Sequence, residues 1–162
     1  ASQEPQLKAI FPALARYGTD GSLDTGFGDN GTVYDEWGGA QGRDMHVVMY
    51  DVARQADGKL VIAGRTEQVH VSAGEDSGGE GSDSESFVVT RYGPDGTRDQ
   101  GFGASAGGDP TPGLVTSVGA PDGAFALAIQ DDGRIVVAGF GVDETSTAPD
   151  PVVQFVLTRY FP

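Results

Sequence analysis

The chain has 162 residues, of which 26 are Gly, 9 are Pro and none is Cys, and its formal net charge is −14. A strongly acidic chain repels the phosphates of nucleic acids, so nucleic-acid binding is not expected. No apolar stretch reaches the length of about 18 residues that a membrane-spanning helix needs. Without Cys the chain has no disulfide framework, no thiolate chemistry and no Cys-bound zinc. The length predicts one domain.

The predicted elements, taken in chain order, are all β-strands. Strand-like segments lie within residues 10–37 and then near 45–55 and 59–66. Later segments rich in β-branched and aromatic residues predict strands at about 86–92, 114–118, 124–130, 134–140 and 155–160. Asp-Gly pairs favour the positive φ angles of tight hairpin turns, and they separate these segments at 20–21, 57–58, 95–96, 122–123 and 132–133.

The segments recur along the chain. Arg16-Tyr17 and the turn after it return at Arg91-Tyr92, and the segment 55–64 returns at 130–139 with the same offset in numbering. A third Arg-Tyr pair follows at 159–160, after a slightly shorter interval. Short strands, some apolar on both faces, predict stacked sheets. We therefore expect an all-β fold of β-propeller-type four-stranded antiparallel blades, about two per chain.

The repeat resembles the delta-60 repeat, a bacterial β-propeller family of unknown function. The resemblance is carried by the pattern Leu-x-Arg-Tyr-x-x-Asp-Gly through to Phe-Gly, and by Gln-x-Asp-Gly followed by a β-branched run and Ala-Gly. These patterns occupy residues 13–28, 52–64, 87–103, 124–139 and 155–160. The resemblance implies a secreted or cell-surface bacterial protein, and Ala1 in place of Met agrees with signal-peptide removal. It implies no reaction and no ligand.

The repeats predict one repeat domain over residues 1–162. We number the four strands of a blade first to fourth in chain order. The domain then contains third- and fourth-type strands at about 10–37, a first full repeat at about 45–118 and a partial closing repeat at about 124–160. The acidic, low-complexity stretch 72–86 predicts a flexible surface loop.

Two blades are fewer than the four to eight that close a propeller. Apolar sheet faces of this size rarely stay bare, so we expect other chains to complete the stack. Copies could form a ring, the chain could be part of a longer propeller, or two sheets could pack as a sandwich whose outer faces a partner covers.

Most candidate binding residues fall in turns. The segment 26–31 matches G-x-G-x-x-G, but no helical pattern follows it, so Phe27 and Phe102 are predicted to anchor glycine-rich corners in the core. The segment 78–86 resembles a calcium-binding β-roll nonapeptide, but a single copy cannot stack. Five carboxylates could supply oxygens to calcium, although capping of turns is the favoured interpretation. They belong to Asp20, Asp24, Asp29, Asp95 and Asp99.

Residues suited to catalysis are few. His46 and His70 have no second ligand at metal-binding spacing. Asp131-Asp132 lies at a predicted hairpin tip, where solvent is expected to leave the proton affinity of a carboxylate unchanged and so unsuited to general acid catalysis. Asp35-Glu36 beside Trp37 is the best candidate for carbohydrate contact, and packing of Trp37 at a blade edge is the competing interpretation.

The Arg-Tyr pairs place one side chain on each face of a strand. We expect each Tyr to pack and each Arg to pair with a turn Asp or to stack on an aromatic ring. Alternatively, the three Arg residues could line ligand sites for an acidic group.

These patterns together predict a non-enzymatic, secreted or surface structural or interaction module with no catalytic, cofactor-binding or metal-binding residues. Its expected partners are copies of itself or other polypeptide chains, and membrane insertion is not expected. A lectin-like oligomeric propeller that binds carbohydrate and a calcium-stabilised adhesive module remain as alternatives.

Overall fold

A computed structural model describes residues 11–35, 44–69, 85–103, 113–116, 123–142 and 152–161. Within these ranges the regular structure consists of β-strands, and no helix there is long and apolar enough to cross a bilayer. The strands are β1 (Ala13–Ala15), β2 (Thr32–Tyr34), β3 (Asp44–Arg54), β4 (Leu60–Val69), β5 (Glu85–Tyr92), β6 (Leu114–Thr116), β7 (Gly123–Ile129), β8 (Ile135–Val142) and β9 (Val153–Tyr160).

The strands form three antiparallel sheets. The central blade has the order β3-β4-β5-β6, the last blade has the order β7-β8-β9, and a two-stranded half-blade consists of β1 and β2. Within each sheet, strands that are neighbours in the sequence pair with each other, as expected for blades built from hairpins. The predicted all-β, propeller-type fold is confirmed, and the sheets form an open stack.

The central blade packs on the last blade through what we call its A face, the side that carries Phe87 and Val89 of β5 and Val61 of β4. The facing surface of the last blade carries Ile135 and Val137 of β8. We call this side of a blade, which lies opposite its A face, the B face. All of these side chains are fully buried, so the two blades share one hydrophobic core.

The half-blade packs on the B face of the central blade. Leu14 of β1 shares a cleft with Met49 and Ile62 of that face. The backbone N–H of Gly28 donates to the carbonyl of Asp95 at 2.8 Å, which joins a turn of the half-blade to a turn of the central blade. Leu14 occupies the position of Val89 in the repeat, so it lies on the A face of the half-blade. The described part of the chain thus contains two junctions, and in each of them an A face covers a B face.

Hairpin turns follow the Asp-Gly prediction in four of the five cases. Their glycines have φ angles between 82° and 89°, at Gly21, Gly58, Gly96 and Gly133. The fifth prediction is wrong for Gly123, which begins β7 and has no positive φ angle.

The predicted acidic loop lies mainly outside the described residues. Glu85 and Ser86, which the sequence placed in the loop at 72–86, are the first residues of β5 and pair with β4.

Candidate interaction surfaces

The Arg-Tyr motif builds a corner after β1 and at the end of β5. In the half-blade, Arg16 Nε donates to Asp24 Oδ2 at 2.8 Å, and its guanidinium lies 4.6 Å from the centre of the Phe27 ring. The Arg16 hydrogen bond holds the pKa of Asp24 below its ordinary value. Phe27 is fully buried, as the sequence predicted. The G-x-G-x-x-G segment is therefore a core-anchored turn.

The central blade repeats this corner in the next copy of the motif. Arg91 Nε donates to Asp99 Oδ2 at 3.0 Å, and the guanidinium lies 4.7 Å from the centre of the Phe102 ring. Lys59 Nζ lies 2.9 Å from the same Asp99 oxygen. The hydrogen bond from Lys59, with the charge of Arg91, lowers the pKa of Asp99. The expectation that Arg pairs with a turn Asp and stacks on an aromatic ring is confirmed for Arg16 and Arg91, two of the three copies.

The tyrosines of the motif differ in burial. Tyr92 is 1% exposed and its hydroxyl donates to Asp35 Oδ2 at 2.7 Å. Tyr160 is partly buried with its ring centre 6.3 Å from that of Phe87, and burial raises its pKa to about 12. Tyr17 is 64% exposed, so the prediction that each Tyr packs is wrong for this copy. Its face of the half-blade has no covering sheet within the described chain.

The turn aspartates cap backbone groups. Asp20 Oδ1 accepts hydrogen bonds from the backbone N and the hydroxyl of Ser22, at 3.0 and 2.7 Å. Asp95 does the same with Thr97, at 3.0 and 2.7 Å. In both turns the hydroxyl bond is the main cause that lowers the pKa of the carboxyl. The favoured interpretation of these residues as turn caps is confirmed.

The other calcium candidates also make local contacts. Asp24 and Asp99 accept backbone N–H bonds as well as their Arg bonds, and Asp29 Oδ1 accepts from Asn30 Nδ2 at 2.8 Å. Among the described residues no group of three or more His, Asp or Glu side chains converges as metal ligands do. The β-roll-like segment 78–86 lies outside the described residues apart from its last two positions.

The proposed sugar-contacting cluster lies only partly within the described residues. Asp35 forms an ion pair with Arg98 and accepts the Tyr92 hydroxyl bond, so its carboxylate joins the half-blade to the central blade. Glu36 and Trp37 lie outside the described residues.

Among the catalytic candidates, the structure describes the side chains of Asp131 and Asp132. His70 and the side chain of His46 are not described. Asp132 caps the backbone N of Arg134 at 3.0 Å and also pairs with its side chain.

A cleft of about 230 Å³ separates the half-blade from β3 of the central blade. Its lining residues are Leu14, Met49, Tyr50, Asp51, Val52 and Ile62. The carboxylate of Asp51 accepts the backbone N–H of Leu127 at 2.8 Å, so this acidic group joins the central blade to the last blade. The cleft is mainly apolar and offers no unengaged charged group for chemistry.

The last blade has an open A face. Phe155 of β9 is 77% exposed and Leu157 is exposed beside it. On β8 the exposed Phe140 pairs with Phe155 across the sheet, and its ring stacks on that of Phe125 at 4.9 Å. In the repeat, Phe155 and Leu157 occupy the positions of Phe87 and Val89. Alignment of the two Arg-Tyr strands could have identified this face from the sequence.

The half-blade has an open B face at the opposite end of the stack. Tyr17 and Tyr34 are its exposed aromatic residues, and Ala13 and Ala15 lie between them on the same side of β1. The exposed Leu23 pairs with Tyr17 through a β-bridge. Each end of the stack thus presents an apolar sheet face, one of each type.

The comparisons with known proteins point to the same architecture. A family model described as "Domain of unknown function (DUF5122) beta-propeller" matches residues 11–27 and 55–102, less than half of the chain. The matched residues include the corner of the half-blade and the strands β4 and β5 of the central blade, and they support a β-propeller repeat family of unknown function. No curated protein and no solved structure matches the chain.

Proposed function

We propose that this chain is a non-enzymatic structural or interaction module of a secreted or cell-surface protein, which assembles with polypeptide chains through the open blade faces at the ends of its stack. The observation that carries the proposal is the exposed A face of the last blade. There, Phe155 and Leu157 stand in solvent at positions that the central blade buries. Contiguous exposed apolar surface is typical of interaction sites.

The polar groups of the described chain favour this role over catalysis. The carboxylates of Asp24, Asp35 and Asp99 are joined to Arg side chains, and Asp20 and Asp95 cap turns. A general acid or base needs a carboxylate that faces a substrate site with an altered proton affinity. Here the carboxylates with shifted pKa values have lowered ones, and they serve the corners and the turns.

Light scattering coupled to size-exclusion chromatography tests the proposal. We expect the mass of the wild-type chain to rise with concentration at about 0.15 M salt, where screening limits the self-repulsion of the −14 charge. Leu157→Asp should shift the association to at least tenfold higher concentration. Val52→Asp is the matched control, since Val52 is 54% exposed but lies on neither open end face: it lines the cleft between the half-blade and the central blade. A wild-type chain that stays monomeric throughout would overturn the proposal.

A further inference from the structure

The internal junctions of the chain define what covers an A face. In both junctions the covering surface is the B face of a following unit: the half-blade A face lies on the central B face, and the central A face lies on the last B face. The A face left over belongs to the last blade, and the B face left over belongs to the half-blade. The two open surfaces are therefore of the two types that pack together inside the chain.

The contact between the central and last blades shows which residues meet when an A face packs on a B face. Phe87, at the start of the third strand on the A face, has its ring centre 6.3 Å from that of Tyr160, at the end of the third strand on the B face. The repeat places Phe155 at the Phe87 position and Tyr17 at the Tyr160 position. Both side chains are well exposed and on the open faces.

The charges at the rims of the two faces agree with this register. In the internal junction, Arg16 of the half-blade donates through Nη1 to the carbonyl of Pro94 in the turn of the central blade. Arg159 stands at the Arg16 position on the open A face, and Thr19 stands at the Pro94 position on the open B face. Asp20, next to Thr19, adds a negative charge to that turn. In a contact with the same alignment, Arg159 of one copy would face the turn that carries Thr19 and Asp20 of another.

We infer that the A face of the last blade binds the B face of the half-blade of a second copy of this chain, head to tail, with Phe155 packed against Tyr17 of that copy. This inference rests on the proposed function and specifies the partner and the contact. A head-to-tail contact joins two different surfaces, so a dimer keeps one free A face on one copy and one free B face on the other. Repetition of such a contact gives a closed ring or an open filament, depending on the rotation between copies.

Two complementary variants test the pairing. Phe155→Asp blocks the A face and leaves the B face intact, whereas Tyr17→Asp blocks the B face and leaves the A face intact. Each variant alone should be monomeric at concentrations where the wild-type chain associates. An equimolar mixture should form a dimer and stop there, because the dimer has only blocked faces left. Light scattering measures both masses, and circular dichroism with thermal melting checks that each variant is folded.

The other outcomes separate the inference from the proposed function. If Tyr17→Asp alone still associates like the wild type while Phe155→Asp does not, the A faces pair with each other. The head-to-tail inference is then wrong and the proposed function stands. If both variants associate like the wild type, the contact lies elsewhere and the inference is again wrong. If the wild-type chain never associates, both fail.

Cysteine cross-linking gives a second measurement that does not depend on disrupting a face. The chain has no Cys, so one introduced Cys is the sole thiol. A mixture of Phe155→Cys and Tyr17→Cys chains, treated with a short bis-maleimide, should yield at least fivefold more covalent heterodimer than a mixture of Val52→Cys and Tyr17→Cys chains. Equal yields would contradict the pairing.

Discussion

The central blade and the last blade carry the same strand sequence pattern but place it in opposite environments. Phe87 is 1% exposed at the core of the blade junction, and Phe155, its counterpart in the last blade, is 77% exposed. The difference does not come from the side chain, because both residues are Phe on a third-type strand of an antiparallel blade. It comes from whether another sheet follows. The contrast between interior and end positions of one repeat therefore isolates the contribution of blade stacking.

The largest difference is expected between Phe87→Ala and Phe155→Ala. Removal of the buried Phe87 ring leaves a cavity in the shared core and should lower the free energy of unfolding by about 3–5 kcal/mol. Removal of the exposed Phe155 ring in the dilute monomer should change it by no more than about 0.5 kcal/mol. Urea unfolding followed by fluorescence measures both values. Equal losses would show that the blades do not stack as described.

A second comparison uses two equivalent turn glycines. Gly96 and Gly21 have φ angles of 88° and 84°, so Ala is strained at both, by about 1–2 kcal/mol. A Cβ at Gly96 would lie 2.9 Å from the backbone N of Gly28 across the junction, whereas a Cβ at Gly21 would meet nothing within 4 Å. Gly96→Ala should therefore lower the melting temperature distinctly more than Gly21→Ala. Thermal unfolding measures both, and a reversed order would contradict the junction.

The third comparison concerns the two Arg corners. Asp99→Asn removes the charged partner of Arg91, whose side chain is mostly buried, and should cost about 1–3 kcal/mol of unfolding free energy. Asp24→Asn removes the partner of Arg16, whose side chain is more exposed, so the loss should be smaller. Parallel urea titrations of the two variants measure the losses. A larger loss at Asp24 would mean that burial does not set the strength of the corner.

The smallest effect is the response of these corners to acid. The pKa of Asp99 is lowered in the folded chain below its ordinary value of 3.8. The stabilisation from this carboxylate is therefore fully present above pH 3.8 and is lost as the pH falls below 3.8 through the folded pKa. Melting temperatures measured from pH 6 down to pH 2 should fall most steeply below pH 4. The acid loss should be shallower in Asp99→Asn, and an identical profile in that variant would contradict the assignment.

The sequence by itself determined the repeat and the chemistry of its turns. The recurrence of the Arg-Tyr motif predicted equivalent corners, and the pairing of Arg16 with Asp24 and of Arg91 with Asp99 followed because the strand places Arg and Tyr on opposite faces. The burial of Phe27 and Phe102 followed from the same pattern. The Arg–Asp pairs join residues only eight positions apart, so local sequence specifies them directly.

Only the tertiary structure decided which copies of the repeat are covered. It placed Asp35 in an ion pair with Arg98 across a junction, although the sequence had put it forward as a contact for carbohydrate. It also left Tyr17 and Phe155 exposed, although their counterparts Tyr92 and Phe87 are buried. Burial is a property of two surfaces in contact. A strand pattern therefore specifies that a face is apolar, but the number and order of stacked sheets decides whether that face lies in a core or at an interface.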